Sequence, residues 1–482
     1  MIFLCGVQRY QGLILAIIIL FTGIIVTIES VKSYRLRRIF NFQKELKRMR
    51  KSSKKPKPIK QPKPPKGTFI GLNGRRGIFI PDTAKHVFVC GTTGSGKTVA
   101  LSNFIKNAVD NELPALIIDG KGDMDEGSLH DIIQRLNHRQ KKVYVINLSD
   151  PEQSDKYNPF LNASSAMATD MLINMTDWSE EHYKINAERY IQRILQLLEL
   201  AEVPLSFGKI IACMKPNKFT DMSNYLLQKG LISKDEHVDN LELLKTSGKV
   251  AQSSVARFST IAESQAGKIL SDKGINIAQA LKENAIILFV LNPLTYPELS
   301  PAFGRLALID SKIAIGELYK CRVPRTFFIL DEISSYATTA LTDLVNKSRS
   351  ANVTCVLATQ SLSDLDFAVN ESYKEQIIEN CNNYIILRQN SGVNADYWAD
   401  IIGTRATLEV TYQLQQKGLD TSETGYGSAK RVREYLYHPD DIKVLQTGKG
   451  IFLSRDTNTH CRVDIHKPFL ERNESCQNQS RP

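Results

Sequence analysis

The sequence predicts an α/β protein with a mostly parallel central sheet, an inserted all-α domain and one N-terminal transmembrane helix. Three observations lead to this fold class. Short, unbroken apolar runs recur and end in polar residues, as buried strands of a parallel sheet do. One of these runs, residues 86–90, continues into a glycine-rich loop and then a helix. A stretch of polar helices, residues 161–270, separates the strands and is too long for a simple crossover, which indicates an insertion.

The first element is an apolar segment, residues 12–28, which carries no charge over 17 residues. As a helix it is about 26 Å long at 1.5 Å per residue, close to the ~30 Å of a bilayer core. A buried core helix usually has a polar face, and a signal peptide has its bases before the apolar run. Here fifteen bases follow it, in residues 31–66. We therefore expect a single-pass cell-membrane protein with its N-terminus outside and its body cytoplasmic.

The positive charge of the chain lies in one segment, and the spacing of its cysteines argues against two classes of protein. The chain of 482 residues has a formal net charge of +11, but residues 31–66 alone carry +14 and leave about −3 for residues 67–482. The beginning of this basic segment is predicted to be a juxtamembrane amphipathic helix on anionic lipid, and its Lys/Pro stretch an extended spacer. A DNA-gripping arm is the alternative. The eight cysteines show no C-x-x-C spacing, which argues against a zinc ribbon or a disulfide scaffold.

The glycine-rich loop after residues 86–90 has the full G-x-x-x-x-G-K-T pattern of a phosphate-binding loop. Its residues are Gly91, Thr92, Thr93, Gly94, Ser95, Gly96, Lys97 and Thr98. Glycines let backbone N–H groups approach phosphates, and the following helix adds positive potential at its N-terminus. Lys97 is expected to bridge the β- and γ-phosphates, and the Thr98 hydroxyl to ligate Mg²⁺. The loop therefore predicts ATP and Mg²⁺ as cofactors.

The acidic partners of this loop are predicted at Asp331 and Glu332, which follow the apolar run 326–330. A strand of a parallel sheet delivers such residues at its carboxyl end, where ligands bind. Asp331 is expected to join Thr98 in the Mg²⁺ shell, and Glu332 to activate the attacking water as general base. By itself the pair could mark a strand leaving for solvent; together with the loop it predicts an ATPase.

Two further residues are candidates for the same reaction. Gln360 follows the apolar run 353–358 and is placed to sense the γ-phosphate, although ordinary strand termination is the alternative. Arg349 follows a predicted helix, residues 335–346. It is either a surface base or a group that reaches the nucleotide of a neighbouring subunit, and the residues alone leave both open.

Together these features resemble one family, the type IV secretion coupling proteins of the TraG/TraD class. The resemblance covers roughly residues 68–465. It is carried by residues 91–98, the strand end 119–123 (DGKGD), Tyr157-Asn158-Pro159, the helical insertion, Asp331-Glu332, Arg349 and 359–361 (TQS). It implies a RecA-like P-loop domain that works as a homo-hexamer on DNA. It also implies that Arg349 acts in trans as an arginine finger and that Gln360 is a phosphate sensor.

The predicted domain organisation follows from these assignments. It comprises a membrane anchor (1–30), a basic helix and linker (31–66), a nucleotide-binding domain in two segments (67–160 and 271–468), the all-α insertion between them (161–270) and a polar tail (469–482). Many family members have two membrane helices and a long acidic tail, and this chain shows neither.

The function implied by the resemblance is that of a membrane-anchored, ATP-driven DNA translocase that delivers a relaxase–DNA substrate to a type IV secretion channel. The expected partners are DNA, single-stranded and bound without sequence preference, together with a relaxase, secretion-channel proteins and anionic membrane lipid. Two alternatives stay open. One is a double-stranded DNA pump of the FtsK/HerA kind, and the other is a nucleotide-gated membrane scaffold without motor activity.

Overall fold

The computed structural model of the protein describes residues 17–34, 67–83, 86–321, 324–370, 372–417 and 420–469. The chain divides into two compact units, Met1–Pro64 and Pro65–Pro482. Residues 35–66 of the predicted basic helix and Lys/Pro linker (31–66) lie outside the described residues, as does most of the polar tail.

The described portion of the first unit is one helix, α1 (Ile17–Tyr34), with a mean hydropathy of 1.7. By length and composition it is a candidate membrane span. It continues to Tyr34, past the predicted end at residue 28, while residues 12–16 of the prediction lie outside the described residues. The hydroxyl of Thr22 donates to the carbonyl oxygen of Ile18 (2.8 Å), so this polar group is satisfied within the helix, as an apolar environment requires.

Eleven strands from the described portion of the second unit form one sheet in the order β2-β1-β13-β12-β9-β3-β8-β7-β4-β6-β5. They are β1 (Gly67–Asn73), β2 (Arg76–Pro81), β3 (His86–Cys90), β4 (Ala115–Asp119), β5 (Val143–Asn147), β6 (Ile286–Val290), β7 (Thr326–Asp331), β8 (Val353–Thr359), β9 (Cys381–Ile386), β12 (Lys449–Ser454) and β13 (Thr459–Ile465). Two more strands, β10 (Thr404–Lys417) and β11 (Asp420–Tyr435), pair only with each other in a long hairpin.

The helices of this unit, as far as it is described, follow in chain order. They are α2 (Lys97–Asp110), α3 (Leu129–Leu136), α4 (Ser165–Asn174), α5 (Glu181–Leu200), α6 (Phe207–Met214), α7 (Pro216–Gln228), α8 (Lys234–Glu263), α9 (Ile277–Lys282), α10 (Leu299–Cys321), α11 (Thr339–Ser348), α12 (Leu362–Ala368), α13 (Tyr373–Asn380), α14 (Gly392–Ile402) and α15 (Pro439–Lys443). Short 3₁₀ turns occupy Ala266–Ile269, Ile333–Tyr336 and Arg349–Ala351.

The seven strands from β9 to β5 are parallel, and the four at the β2 edge are antiparallel. Every residue of β3, β4, β6 and β7 is buried, because helices cover both faces of the parallel region. This confirms the predicted fold class. The register pairs Asp119 with Asp331 and Cys90 with Thr359, so the ends of four neighbouring strands meet at one edge.

The helices α4–α8 lie between β5 and β6 in the chain, which is the position predicted for the insertion. The sequence of this region predicts two separate helices, near 240–244 and 250–263, whereas the structure has the single 30-residue helix α8. It begins with a capping box, in which Ser233 and Glu236 satisfy each other's backbone N–H groups. The segment between the two expected helices contains one glycine and no proline. A single glycine costs a helix only about 1 kcal/mol, so the two helices are joined.

The chain enters and leaves this helical region at Tyr157. Its backbone bridges Leu270 and Ile275 on the return path, and its buried hydroxyl donates to Asp310 Oδ2 on α10 (2.8 Å). A Cβ at Gly274 would lie 2.3 Å from the carbonyl carbon of Tyr157, so only glycine allows this close approach. The tyrosine of the Tyr-Asn-Pro motif therefore fastens the two connections of the insertion to the nucleotide-binding domain.

Candidate nucleotide-binding site

The phosphate-binding loop connects β3 to α2 and has the backbone form that phosphate binding requires. Gly94 (φ 70°) and Gly96 (φ 109°) are both in the left-handed region, which side chains other than glycine adopt at a cost. A Cβ at Gly96 would also approach the backbone nitrogen of Gly448 to 3.3 Å. The Ser95 hydroxyl donates to the carbonyl oxygen of Thr92 (2.6 Å), which holds the loop in a tight turn.

Lys97 is the first residue of α2, and its side chain is almost completely buried (4% exposed). Its Nζ donates to the carbonyl oxygen of Gly91, 2.6 Å away, inside the loop. Burial, and next to it the charge of Lys121, lower the pKa of Lys97. A phosphate group in the loop would supply the negative charge that this desolvated ammonium lacks.

Asp331 ends β7 and is 1% exposed. Its Oδ1 accepts from the backbone N–H of Glu332 (3.0 Å), and its Oδ2 lies 3.1 Å from Lys121 Nζ. Asp331 and Lys121 line a cavity of about 220 Å³, together with Thr98 and Asp119. Hydroxyl and carboxylate oxygens are the ligands that Mg²⁺ prefers, so the donor set fits the predicted metal site at Thr98 and Asp331.

Asp119 lies beside Asp331 and is 3% exposed. Burial, and then the charge of Asp331, raise the pKa of Asp119 to about 7. Its Oδ1 accepts from the backbone N–H of Lys121 (3.0 Å). Two neighbouring buried carboxyls therefore face one ammonium at the end of the sheet.

Glu332 adopts a left-handed backbone conformation (φ 49°, ψ 54°), which is uncommon outside glycine and often found at functional sites. Its Oε1 accepts from the Ser334 hydroxyl (3.1 Å) and from the backbone N–H of Gln360 (3.3 Å). Its Oε2 is buried and has no hydrogen-bond partner among the described residues. A buried, unpartnered carboxylate oxygen is costly to keep, and it is well suited to accept a proton from a water molecule.

Gln360 follows β8 directly, beside the phosphate-binding loop. Its Oε1 accepts from the hydroxyl of Thr93 (2.7 Å), while its backbone contacts Glu332. A single residue therefore links the loop to the proposed general base. The structure thus brings residues 91–98, Asp331, Glu332 and Gln360 together at one edge of the sheet.

Arg349 lies away from this edge, in the 3₁₀ turn before β8, and is exposed. The turn is closed by Asn352, whose left-handed backbone (φ 61°) returns an N–H to the carbonyl oxygen of Arg349 (3.2 Å). The seven residues of β8 separate it from Gln360. At ~3.3 Å per residue this strand spans about 23 Å, so Arg349 lies far from the phosphate-binding loop of its own chain.

His86, the first residue of β3, supports the residue before Arg349. Its Nδ1 accepts from the backbone N–H of Cys355 (3.0 Å), which leaves Nε2–H to face the Ser348 hydroxyl at 3.5 Å. Burial is the main cause that lowers the pKa of His86 to about 4, and the charge of Arg349 adds to it. The imidazole of His86 is therefore neutral in the folded protein at neutral pH.

This pKa predicts an acid sensitivity with a defined sign. Because the folded pKa of His86 lies below the unfolded value of about 6.5, its contribution to stability is complete above pH 6.5 and is lost as pH falls towards 4. Between pH 7 and pH 4 the protein should lose about 3 kcal/mol more unfolding free energy than its His86→Leu variant. Denaturant unfolding of both proteins at the two pH values measures the difference, and parallel losses would refute it.

Three contacts of the site were not predicted as functional. Lys121 belongs to the quoted DGKGD strand end, but no role was assigned to it. The Asn390 amide donates to the Thr92 hydroxyl (3.3 Å), and the Thr447 hydroxyl to the carbonyl oxygen of Gly94 (3.0 Å). Asn390 and Thr447 belong to no motif, so only the tertiary structure reveals them.

Comparisons with known proteins agree with this geometry. Residues 81–287 match the family model described as the central domain of the helicase HerA, and residues 325–447 match the TraM recognition site of TraD and TraG. The type 4 coupling protein DotL of Legionella pneumophila is 26% identical over 150 residues, which cover 27% of this chain and 19% of DotL. The chain thus matches about a fifth of that relative's length.

The chain therefore carries a region like the central domain of HerA and a region like the TraM recognition site of the TraD and TraG coupling proteins. The fold agrees with that family. The bacterial conjugative coupling protein TrwB superposes with a TM-score of 0.60 at 15% identity, over 84% of this chain and 89% of TrwB. VirB4 of Thermoanaerobacter pseudethanolicus gives a TM-score of 0.51 at 11% identity, over 83% of this chain and 96% of VirB4. TrwB structures have been solved with an ATP analogue and with ADP and Mg²⁺. The expected family and class of P-loop ATPase are therefore confirmed.

Proposed function

We propose that the protein is a membrane-anchored ATPase that pumps DNA, bound to a relaxase, into a type IV secretion channel. The observation that carries this proposal is the hydrogen-bonded chain Thr93–Gln360–Glu332 at the end of the sheet. It connects the loop that binds nucleotide with the residue that activates water, within a fold shared with a conjugative coupling protein. A site that only senses nucleotide has no need of Glu332 Oε2, which is buried and has no hydrogen-bond partner among the described residues.

The residues of the site have distinct tasks in this reaction. The loop N–H groups and Lys97 bind the β- and γ-phosphates, and Thr98 and Asp331 would hold Mg²⁺. Mg²⁺, when bound, neutralises charge on the phosphate oxygens. Glu332 Oε2 orients the attacking water and takes its proton. Gln360 is hydrogen-bonded to both the loop and Glu332. When the γ-phosphate is lost, Gln360 transmits the change to β8, the strand between Arg349 and Gln360.

The motor is proposed to work as a homo-hexamer. The position of Arg349, one strand length away from its own loop, supports a ring in which each subunit completes the site of its neighbour. Because residues 67–482 carry a net charge of about −3, DNA would be held by a few bases in the pore. Such contacts to the phosphate backbone are independent of sequence and weaken with salt.

The candidate membrane helix and the family match in the C-terminal half support proposals about the membrane and the partners of the motor. We propose that α1 anchors the protein in the cell membrane, with the N-terminus outside and the basic segment on anionic lipid of the cytoplasmic leaflet. The match of residues 325–447 to the TraM recognition site of TraD and TraG supports a partner-binding surface in the C-terminal half. The match of residues 81–287 to HerA keeps a double-stranded DNA pump as the second candidate.

ATP hydrolysis by the purified full-length chain, measured without DNA and with single-stranded or duplex DNA, tests the proposal. We expect single-stranded DNA to stimulate hydrolysis and Lys97→Ala to abolish it, because the buried ammonium is lost from the phosphate site. Lys106→Ala is the matched control, since Lys106 lies on the same helix and pairs with the nearby Asp110 (2.9 Å). Stimulation by duplex DNA alone would favour the HerA-like pump. A near-zero rate in every condition would contradict the motor and favour the nucleotide-gated scaffold.

A further inference from the structure

Lys121 projects from a turn whose shape is fixed by its surroundings. The carboxylate of Asp119 accepts the backbone N–H groups of Lys121 (3.0 Å) and Gly122 (3.4 Å). Gly122 is left-handed (φ 77°), and a Cβ there would lie 1.7 Å from the carbonyl oxygen of Leu291. No other residue fits this position without moving the backbone. The turn therefore holds Lys121 at the carboxyl ends of β4 and β7.

The ammonium of Lys121 contacts the carboxylate that is proposed to hold Mg²⁺. Its Nζ lies 3.1 Å from Asp331 Oδ2, and the other oxygen, Oδ1, already accepts from the backbone N–H of Glu332 (3.0 Å). Asp331 is 1% exposed, so this charge pair is little screened by solvent. A divalent cation bound through Asp331 Oδ2 must compete with Lys121 for that oxygen.

We propose that Lys121 is a built-in counter-cation of the divalent-metal site, which keeps free Mg²⁺ off Asp331 and yields this oxygen only when Mg²⁺ and nucleotide bind together. The inference rests on the proposed function, because it assumes that the site takes an Mg²⁺–nucleotide complex. Two neighbouring carboxylates, Asp119 and Asp331, would otherwise attract a hydrated divalent cation by themselves. With the ammonium paired to Asp331, a bare cation gains little from binding, and the phosphate oxygens of the nucleotide supply the missing ligands and charge. Lys121 thereby makes metal binding conditional on nucleotide.

The test measures Mg²⁺ binding to the full-length protein without nucleotide, by isothermal titration calorimetry and by the shift in thermal unfolding. The wild-type protein should show no shift in the millimolar range. Lys121→Met keeps the length of the side chain and removes its charge. A nearby cation lowers the proton affinity of a carboxylate by about tenfold or more, and we expect an effect of at least this size on Mg²⁺. This variant should therefore bind Mg²⁺ at least tenfold more tightly and be stabilised by it.

Two further variants separate this effect from a general change in stability. Lys142→Met removes a lysine that is paired with Glu283 (2.8 Å) away from the site, and should leave Mg²⁺ binding as in the wild type. Adding Asp331→Asn to Lys121→Met should abolish the gained affinity. Lys121→Gln, a polar neutral replacement, should reproduce Lys121→Met if the lost charge is the cause.

Binding of a fluorescent ATP analogue, with Mg²⁺ and with EDTA, distinguishes failure of this inference from failure of the proposed function. If the wild-type protein does not bind the Mg²⁺–nucleotide complex, the proposed function is wrong. If it binds the complex while Lys121→Met and Lys121→Gln show unchanged Mg²⁺ affinity, only the inference is wrong. Loss of Mg²⁺-free nucleotide binding in these variants, without a gain in Mg²⁺ affinity, would instead make Lys121 a phosphate ligand and also overturn it.

Discussion

Replacing Glu332 with glutamine is expected to slow ATP hydrolysis by about a hundred- to ten-thousandfold, the usual contribution of a general base. Glutamine has the same shape and still accepts hydrogen bonds at Oε1 from the Ser334 hydroxyl and the Gln360 backbone. The buried second position, which has no partner among the described residues, changes from a carboxylate oxygen to an NH₂ group. An amide nitrogen cannot take a proton from water, so binding should survive while turnover is lost.

Turnover is measured by release of phosphate under saturating ATP, and binding by a fluorescent ATP analogue. Glu298→Gln makes the same chemical change at an exposed loop position and should hydrolyse ATP at the wild-type rate. If Glu332→Gln kept more than about a tenth of the wild-type rate, the loss would fall short of what a general base contributes. Another group would then have to activate the water.

The features of this site that could be predicted from the sequence are those that one short segment specifies by itself. The G-x-x-x-x-G-K-T loop sets its own conformation through glycines, and the apolar run before Asp331 and Glu332 predicts a buried strand with acids at its end. The parallel arrangement follows from the same runs, because such strands must be covered on both faces. Fold class and loop position were therefore accessible without coordinates.

The remaining features depend on contacts between segments that are far apart in the chain. Strand order places the end of β4 beside the end of β7, and only then does Lys121 meet Asp331. Thr447 contacts the phosphate-binding loop although it lies 353 residues from Gly94 in the chain, and no local sequence pattern predicts this contact. The hairpin β10–β11 escaped prediction for a different reason. Among the described residues it pairs only with itself, and although β10 alternates polar and apolar residues from 405 to 414, β11 shows no such alternation that would mark it as its partner.

The net charge illustrates how local placement decides the interpretation. A value of +11 suggests a broad nucleic-acid surface, yet the excess lies in residues 31–66, beside the candidate membrane helix. The folded unit instead concentrates its chemistry in a few buried charges. Lys97 is 4% exposed and Asp331 is 1% exposed at the end of the sheet. Charges so placed act through short contacts at the candidate nucleotide site, whereas the bulk charge is proposed to act at the membrane.

Replacing Arg349 with alanine is expected to reduce hydrolysis by about a thousand- to a hundred-thousandfold, as removal of an arginine finger does. The side chain is exposed in a turn at the amino end of β8, so its loss should leave the fold and ATP binding intact. Lys347→Ala removes an exposed base two residues earlier and is the matched control. Arg349→Lys keeps the charge but not the planar fork of donors, and should recover little activity.

The decisive measurement mixes two inactive variants. Arg349→Ala keeps Glu332 but has no finger to give, and Glu332→Gln keeps Arg349 but has no general base. If the finger acts in trans, a mixed ring contains sites in which an intact Glu332 faces an intact Arg349 of the neighbour. In a random equal mixture about a quarter of the sites are complete, because each subunit of a closed ring faces one neighbour across each interface.

Hydrolysis in the mixture should therefore rise far above that of either variant alone. A residue that acts within its own subunit cannot be rescued this way, because every chain of the mixture then has one defect in its own site. A mixture as inactive as its components, under conditions where both variants assemble with wild-type protein, would remove Arg349 from the reaction of the neighbour. Rescue would show that Arg349 and Gln360 of one chain, a strand length apart, serve two different nucleotide sites of the ring. Gln360 would act in the site of its own subunit, and Arg349 in the site of the neighbour.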